Sequence, residues 1–414
     1  MTSFSIQSFG CRVNQAEAFS WASTLQSHGL VYRSDSFRSD IVLVNTCTLT
    51  SRADRDVRQF LNKLARLNPE ARLVLTGCYS ERFLDDFQNN PRVWQVVRNE
   101  EKEDLPHRIL AGMESGTKTE IKPFRSRALV KIQDGCDFRC SFCIIPAMRG
   151  QSVSLPEGKI VEQVREYTKQ GYKEIVLTGI HLCSYGNDRP TEDSLVGLLQ
   201  SMEKIEGLGR IRLSSLDPRF LDRKLCDYIT SSPIVCPHFH ISLQHGSDDI
   251  IRRMGRKIKV AEYMRILDDL HQKSPNAALG ADLIVGFPGE TESNFERMYN
   301  FVEKLPLTYF HVFSYSQRPG TPAALWEQVE ERAKKERAAR LRELSKRKNY
   351  HFRKGLVGDD WESVVIRQKN GTAQVLTSNY VQVYVSRCAA EEREQVQVKI
   401  TQAEENQTRG QIID

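Results

Sequence analysis

Changes of pattern along the chain predict an α/β multidomain protein: an N-terminal βαβ parallel-sheet domain, a central partial (β/α)6 barrel and a C-terminal small β-barrel. The first stretch alternates apolar strand-like runs with helical ones, the second repeats that alternation six times, and the third holds short strands without a long helix. The 414 residues suffice for two or three domains with separate cores. Boundaries are expected at 1–112, at a linker over 113–125, at 126–348 and at 349–414.

Residues 5–9, 41–45 and 72–76 read as short buried strands, with helical periodicity over 16–28 and 52–67 between them. Each strand runs into a cysteine, Cys11, Cys47 and Cys78. Carboxyl ends of parallel strands share one edge, so these thiols are expected to converge there as a cluster site. Three unrelated core cysteines are the plainer alternative. From about 106 to 125, Gly112, Gly116 and Pro123 among mixed charges suit a linker.

In the central stretch, 128–133, 174–178, 210–214, 240–243, 281–285 and 310–313 read as strands, with helical runs such as 157–170 and 260–272. Six such units predict an open barrel with its chemistry at the carboxyl ends of the strands. Those ends carry 177–180, 215–218, 244–246 and 286–290, all small or polar. The tail reads as strands at 361–366, 374–376, 381–385 and 395–401, which fits a barrel of about five strands of the oligonucleotide-binding kind.

Residues 330–354 hold eleven Lys or Arg against four Glu, a surplus larger than the net +6 of the whole chain. Such a run is a solvated helix face or a grip on phosphate, and its place before a small β module favours nucleic acid. Lys334, Lys335, Arg337, Arg340, Arg342, Lys346, Arg347 and Lys348 are the candidate phosphate contacts, and Tyr350, Phe352 and Tyr380 the candidate stacking platforms. No apolar run approaches the ~20 residues of a membrane span, which argues against a membrane protein. The opening Met1-Thr2-Ser3 has no basic leader, so a cytoplasmic location is expected. Without a leader, the ten cysteines are better read as cluster or metal ligands than as disulfides.

Cys136, Cys140 and Cys143 stand at Cys-x3-Cys-x2-Cys spacing. Three thiols so placed fit three corners of an iron–sulfur cube and leave the fourth iron open to bind and split a substrate. A zinc site wants a fourth ligand close by, and the next candidate is His181.

With Phe142 before its last cysteine, this run resembles the cluster motif of the radical S-adenosylmethionine (SAM) enzymes. Together with Gly-Cys-Arg-Val-Asn-Gln-Ala-Glu at 10–17, Asn-Thr-Cys-Thr at 45–48 and Thr-Gly-Cys-Tyr at 76–79, it resembles the methylthiotransferase family along nearly the whole chain. The resemblance implies two 4Fe-4S clusters, a radical SAM cluster on Cys136, Cys140 and Cys143 and an auxiliary one on Cys11, Cys47 and Cys78. It implies SAM chelated through its amino and carboxylate groups, Phe142 beside its adenine, and an RNA-binding TRAM-like domain at the C-terminus. One SAM would be cleaved to a 5′-deoxyadenosyl radical after electron donation from the radical SAM cluster. A second would supply the methyl group, with sulfur carried on the auxiliary cluster. An electron donor protein and a sulfur source are implied partners.

Gly-Cys-Arg-Val-Asn at 10–14 and the pattern at 179–186 resemble the branch acting on C2 of N6-threonylcarbamoyladenosine in the tRNA anticodon loop. Isopentenyladenosine in tRNA and a ribosomal-protein aspartate, substrates of the other branches, are the alternatives. A non-catalytic RNA-binding iron–sulfur sensor is the alternative of another class. Two departures bear on substrate fit: Cys183 stands where a glycine is expected, and Met254-Gly255-Arg256-Lys257-Ile258 lacks a terminal aromatic or histidine.

No catalytic side chain is assigned beyond the cluster ligands. Thr178 and Gly179 are candidates to hold the SAM amino group, and Ser215, Gln244 and Asp282 to line the SAM or nucleoside pocket. A strand-end cap or a satisfied core group explains each polar side chain as well. Glu290 is expected to cap the helix starting near 291, and His181, His238 and His240 are read as structural. Cys183, Cys226, Cys236 and Cys388 are read as structural thiols, with Cys183 nearest the barrel mouth.

Overall fold

The computed structural model describes residues 1–111, 125–190 and 194–413. The N-terminal sheet is parallel throughout, in the order Val31–Tyr32, Ser3–Ser8, Ile41–Thr46, Arg72–Gly77, Val93–Val97. The first strand is only two residues long and the last, Val-Trp-Gln-Val-Val, is only half-buried, and neither is among the strands expected from the sequence. Alternation sorts the central strand between two layers. Ile41 and Leu43 pack with Trp21, Ala22 and Leu25 of helix Arg12–Ser27, whereas Val42 and Val44 pack with Leu64 of helix Ser51–Leu67.

Helix Arg12–Ser27 is buried on a second face as well, where Ala16 and Phe19 enter the core of the central domain. There Phe19 meets Tyr167 and Tyr172 edge-on at 5.0 and 5.4 Å. Helix Leu105–Leu110 buries Leu105 and Ile109 in the N-terminal core, so the start of the expected linker is part of the domain; residues 112–124 lie outside the described residues.

The six expected barrel strands are Ala128–Asp134, Glu174–Gly179, Arg210–Leu213, His238–His240, Ala278–Val285 and Tyr309–Ser314. The fourth begins two residues earlier than the apolar pattern indicates, because its inward positions carry His238 and His240. The first three and the last three strands form two parallel sheets, joined by single bridges from Ile211 to Val235 and from Leu216 to Ile241. Ala128–Asp134 and Tyr309–Ser314 do not pair with each other, so the barrel is open, with the short antiparallel strand Val153–Ser154 beside the first.

The tail closes into a five-stranded barrel, Asp360–Lys369, Thr372–Thr377, Gln382–Ser386, Thr408–Ile413 and Gln395–Ala403 in spatial order. It includes a final strand that the sequence pattern did not mark. It seals the amino-terminal ends of the central strands through a buried ion cluster. Glu174, fully buried, holds Arg212 Nε at 2.8 Å and Arg210 Nη2 at 2.6 Å. The far ends of these arginines donate to the carbonyls of Glu362, Leu376, Thr377 and Ser378 in the tail barrel. Tyr380, expected to stack on RNA, instead stacks on His238 with ring centroids 4.0 Å apart and accepts a hydrogen bond from Arg12 at 2.9 Å.

The basic segment is one helix, Glu331–Gly355, and the boundary expected at 348/349 falls inside it. It is a docked strut. Lys334 and Arg337 are buried and paired with Glu331, Glu290 and Glu292; Arg340 pairs with Glu296 and Arg347 with Glu303. Arg342 and Lys348 donate to the carbonyls of Val312 and Leu305. Six of the eight expected phosphate contacts therefore have partners within the chain, while Lys335 and Lys346 stay exposed. Phe352 packs into the tail barrel, and Tyr350 is half-buried at its end of the helix.

Glu174→Gln should destabilise the fold by about 3–5 kcal/mol, measured by denaturant unfolding, since it leaves buried arginines without a counter-charge. Against burial, Arg212, Arg210 and Arg127 hold the Glu174 carboxyl well below its ordinary range. Its stabilisation is thus complete above the unfolded value of about 4.3 and is lost as pH falls through the lower folded value. The wild-type advantage over the Gln variant should therefore persist at neutral pH and shrink on acidification.

Candidate active site

Strands Ser3–Ser8, Ile41–Thr46 and Arg72–Gly77 end on one edge, and Cys11, Cys47 and Cys78 follow there. Cys11 stands at the N-cap of helix Arg12–Ser27, and Cys78 begins helix Cys78–Arg82. Two glycines let the chain converge. Gly10 has φ +84° and an added Cβ would lie 2.3 Å from Cys47 Sγ; at Gly77, with φ +102°, it would lie 2.3 Å from the Thr46 carbonyl. Neither position admits a side chain. Burial raises the Cys11 thiol and pushes Cys47 up to about 12, and each feels the charge of other members of the trio.

Cys136, Cys140 and Cys143 sit on the loop after strand Ala128–Asp134, before helix Ile145–Arg149. The loop is fastened from below: Ser141 N donates to the Met254 carbonyl at 3.0 Å and Ser141 Oγ to the Arg253 carbonyl at 2.8 Å. Gly255, at φ +75°, brings the chain under Cys140. Burial raises all three thiols, Cys143 to about 12. Ile258 is buried in the central core, so the departure at the end of this segment is a packing position.

The donor set tests what these sites can hold. Six thiols placed where water solvates a thiolate poorly favour a soft, multiply charged centre that neutralises them. Cations stand close by: Arg149 beside Cys11 and Cys78, and Arg219 and Arg256 beside the second trio. Both trios fit thiolate-bound 4Fe-4S clusters, which are anionic.

The candidate SAM and nucleoside contacts occupy different depths. Thr178 is fully buried at the end of its strand, and its Oγ1 has no hydrogen-bond partner among the described residues. Gly179 lies where a Cβ would meet Gln133 Oε1 at 2.9 Å, and that oxygen accepts from His181 N at 2.7 Å. Gln244 has φ +74°, a strained value for a residue with a side chain, held by backbone bonds to the Asp282 carbonyl and the Ile284 amide. Ser215 is exposed, and its hydroxyl meets His240 Nδ1 at 3.0 Å. Asp282 lies between His240 Nε2 at 3.3 Å and His311 Nδ1 at 3.1 Å; against burial, these two imidazoles hold its carboxyl below the ordinary range. Phe142 packs edge-on to Phe287 at 6.3 Å.

Several residues do other work than the sequence indicates. Glu290 accepts from the Gly286 and Phe287 amides and from Arg337, while Thr291 and Asn294 cap the following helix themselves. Cys183 is buried in the central core on the short turn Leu182–Ser184, at the carboxyl end of the strands and beside Asp217. Cys226, Cys236 and Cys388 are buried thiols, and His181 bonds Asp217 at 3.2 Å between Phe138 and Phe220. Asp217 also holds Arg219 at 2.6 Å and Arg256 at 3.3 Å, a cationic group that single-residue reasoning missed.

Residues 130–302 match the radical SAM superfamily, and residues 3–98 match the uncharacterized protein family UPF0004. The chain is 36% identical to the threonylcarbamoyladenosine tRNA methylthiotransferase MtaB of Thermotoga maritima, over 87% of this chain and 86% of that protein. It is 35% identical to the MtaB protein of Aquifex aeolicus, over 91% and 95% of the two chains. Its fold is similar to that of the radical S-adenosylmethionine methyltransferase TsrM from Kitasatospora setae, with a TM-score of 0.55 at 14% identity, covering 78% of this chain and 74% of that one.

Gly10→Ala is expected to lower iron after anaerobic reconstitution from about eight to about four per chain, as Cys47→Ala should, because each would remove one of the two clusters that the trios fit. Iron retained at the wild-type level would show that Gly10 is dispensable for the first trio.

Proposed function

The chain belongs to the radical SAM methylthiotransferase family, and within it we propose that it methylthiolates C2 of N6-threonylcarbamoyladenosine in the anticodon loop of tRNA. The observation that carries this reading is the pairing of two three-thiol sites in one chain. Relatives named for this reaction align along most of the chain, and the Gly-Cys-Arg-Val-Asn form at 10–14 accords with their branch. A cytoplasmic setting goes with tRNA as substrate.

Cys136, Cys140 and Cys143 would hold the radical SAM cluster, and Cys11, Cys47 and Cys78 the auxiliary one. When bound, the clusters and SAM supply the one-electron chemistry that an unactivated aromatic C–H requires. The protein's own part is placement. Thr178 is fully buried beneath the strand end, so the contact to SAM there would fall to the partly exposed Gly179, packed against Gln133. Phe142, half-buried beside Phe287, offers a ring to the adenine. Gln244 is held at a strained backbone angle at the strand end, and Asp282 keeps the buried His240 and the exposed His311 together on one face. The tail barrel closes the other end of the strands, which leaves the carboxyl ends to the substrate.

RNA contact would centre on Phe313. Phe313 is 45% exposed at the end of its strand, in a cavity of about 910 Å³ also lined by Arg52, Gln317 and Arg342. It is a better stacking platform than Tyr380 or Phe352. The electron donor and sulfur source enter as external partners.

Anaerobically reconstituted protein, given SAM, a reductant, a sulfur source and tRNA bearing threonylcarbamoyladenosine, should yield the 2-methylthio nucleoside by mass spectrometry. Cys11→Ala and Cys140→Ala should each abolish it. SAM cleavage without modification of this tRNA would move the substrate to another branch. Phe313→Ala should weaken tRNA binding by about 1–3 kcal/mol, the range for a lost base stack; undiminished affinity would take Phe313 out of the RNA surface.

A further inference from the structure

Five buried or nearly buried charges, Glu17, Lys102, Lys131, Asp134 and Arg149, lie between the two thiol trios and belong to neither. Arg149 is their hub. Its side chain is 1% exposed and donates to Asp134 Oδ1 at 2.7 Å and Oδ2 at 2.8 Å, and to Glu17 Oε1 at 3.1 Å. Its other terminal nitrogen donates to Asn14 Oδ1, the same oxygen that accepts from Cys11 Sγ at 3.7 Å. Asp134 immediately precedes the loop that carries Cys136, Cys140 and Cys143, and Arg149 ends the short helix that follows it. The Arg149–Asp134 pair therefore ties the base of one site, while the Arg149–Asn14 bond reaches the first thiol of the other.

The charges do not balance. Three cations face two anions in a region where uncompensated charge is costly. An anionic three-thiolate cluster beside Cys11 and Cys78 would supply the missing negative charge. Such a cluster becomes more negative on reduction, so a nearby cation raises its reduction potential and a nearby anion lowers it.

We propose that Arg149 is a positioning residue shared by both sites: it fixes the first thiol trio against the loop bearing the second, and its charge raises the reduction potential of the cluster on Cys11, Cys47 and Cys78. The inference rests on reading those cysteines as cluster ligands.

The test is a redox titration, followed by electron paramagnetic resonance, of the full chain with Cys136, Cys140 and Cys143 replaced by alanine, so that one cluster remains. Arg149→Gln should shift its midpoint potential downward and Glu17→Gln upward. Lys131→Met, at the more exposed edge of the group, should shift it downward by less, and it serves with Glu17→Gln if the Arg149 variant does not fold. A role limited to holding the fold predicts no such opposition of sign. Shifts in one direction for all variants, or none, would overturn the inference while leaving the cluster in place. A parent protein that binds no cluster on Cys11, Cys47 and Cys78 would overturn the ligand reading and the inference with it.

Discussion

The structure depends most on the buried ionic group centred on Glu17 and Arg149. Burying an arginine, two lysines and two carboxylates is costly unless every charge is paired and hydrogen-bonded. Here the pairing crosses the boundary between the N-terminal and central domains. Glu17 lies on the helix that starts at Cys11, Lys102 bridges it to Asn45 of the sheet, and Arg149 comes from the barrel. Against burial, Arg149, Lys102 and Lys131 hold the Glu17 carboxyl well below its ordinary range, so it stays a carboxylate. Each domain keeps a pair of its own, Glu17 with Lys102 and Asp134 with Arg149, and the contacts of Arg149 and Lys131 with Glu17 join the two.

A second clamp works the other flank. Arg318, just past the last barrel strand, donates to Asp54 at 2.7 Å and to the Thr48 carbonyl at 3.3 Å, next to Cys47. With the apolar seam around Phe19, these clamps hold the N-terminal sheet edge against the open barrel. The third domain closes the opposite end through the Glu174 cluster and inserts Tyr380 toward His238. The thiol sites are thus assembled from the first two domains, with the third closing the far end of the barrel, and polar contacts with strict geometry bind the three together.

Much of this was legible in the residues. The three apolar runs of the N-terminal domain, six barrel strands and four tail strands carry apolar patterns that local sequence displays, and glycines with positive φ stand beside the cysteines they make room for. What escaped was of two kinds. Strands Val31–Tyr32, Val93–Val97 and Thr408–Ile413 are short, half-buried or polar, and exist because a neighbouring strand offers an edge. The basic helix was the other: its composition resembles a phosphate grip, yet the acids that neutralise it come from helix Glu292–Lys304, about forty residues earlier in the chain.

The sequence by itself determined most of the element types, the three folding units and the Cys-x3-Cys-x2-Cys loop, because periodicity and close spacing are local properties of a chain, whereas Cys11, Cys47 and Cys78 meet only through the parallel sheet. Only the tertiary structure decided which charges meet. Arg149 and Glu17 are 132 residues apart, and Arg212 finds the tail barrel carbonyl of Ser378 across 166. Ion pairing is a matter of distance in space, and no local pattern announces a partner that the fold alone brings near.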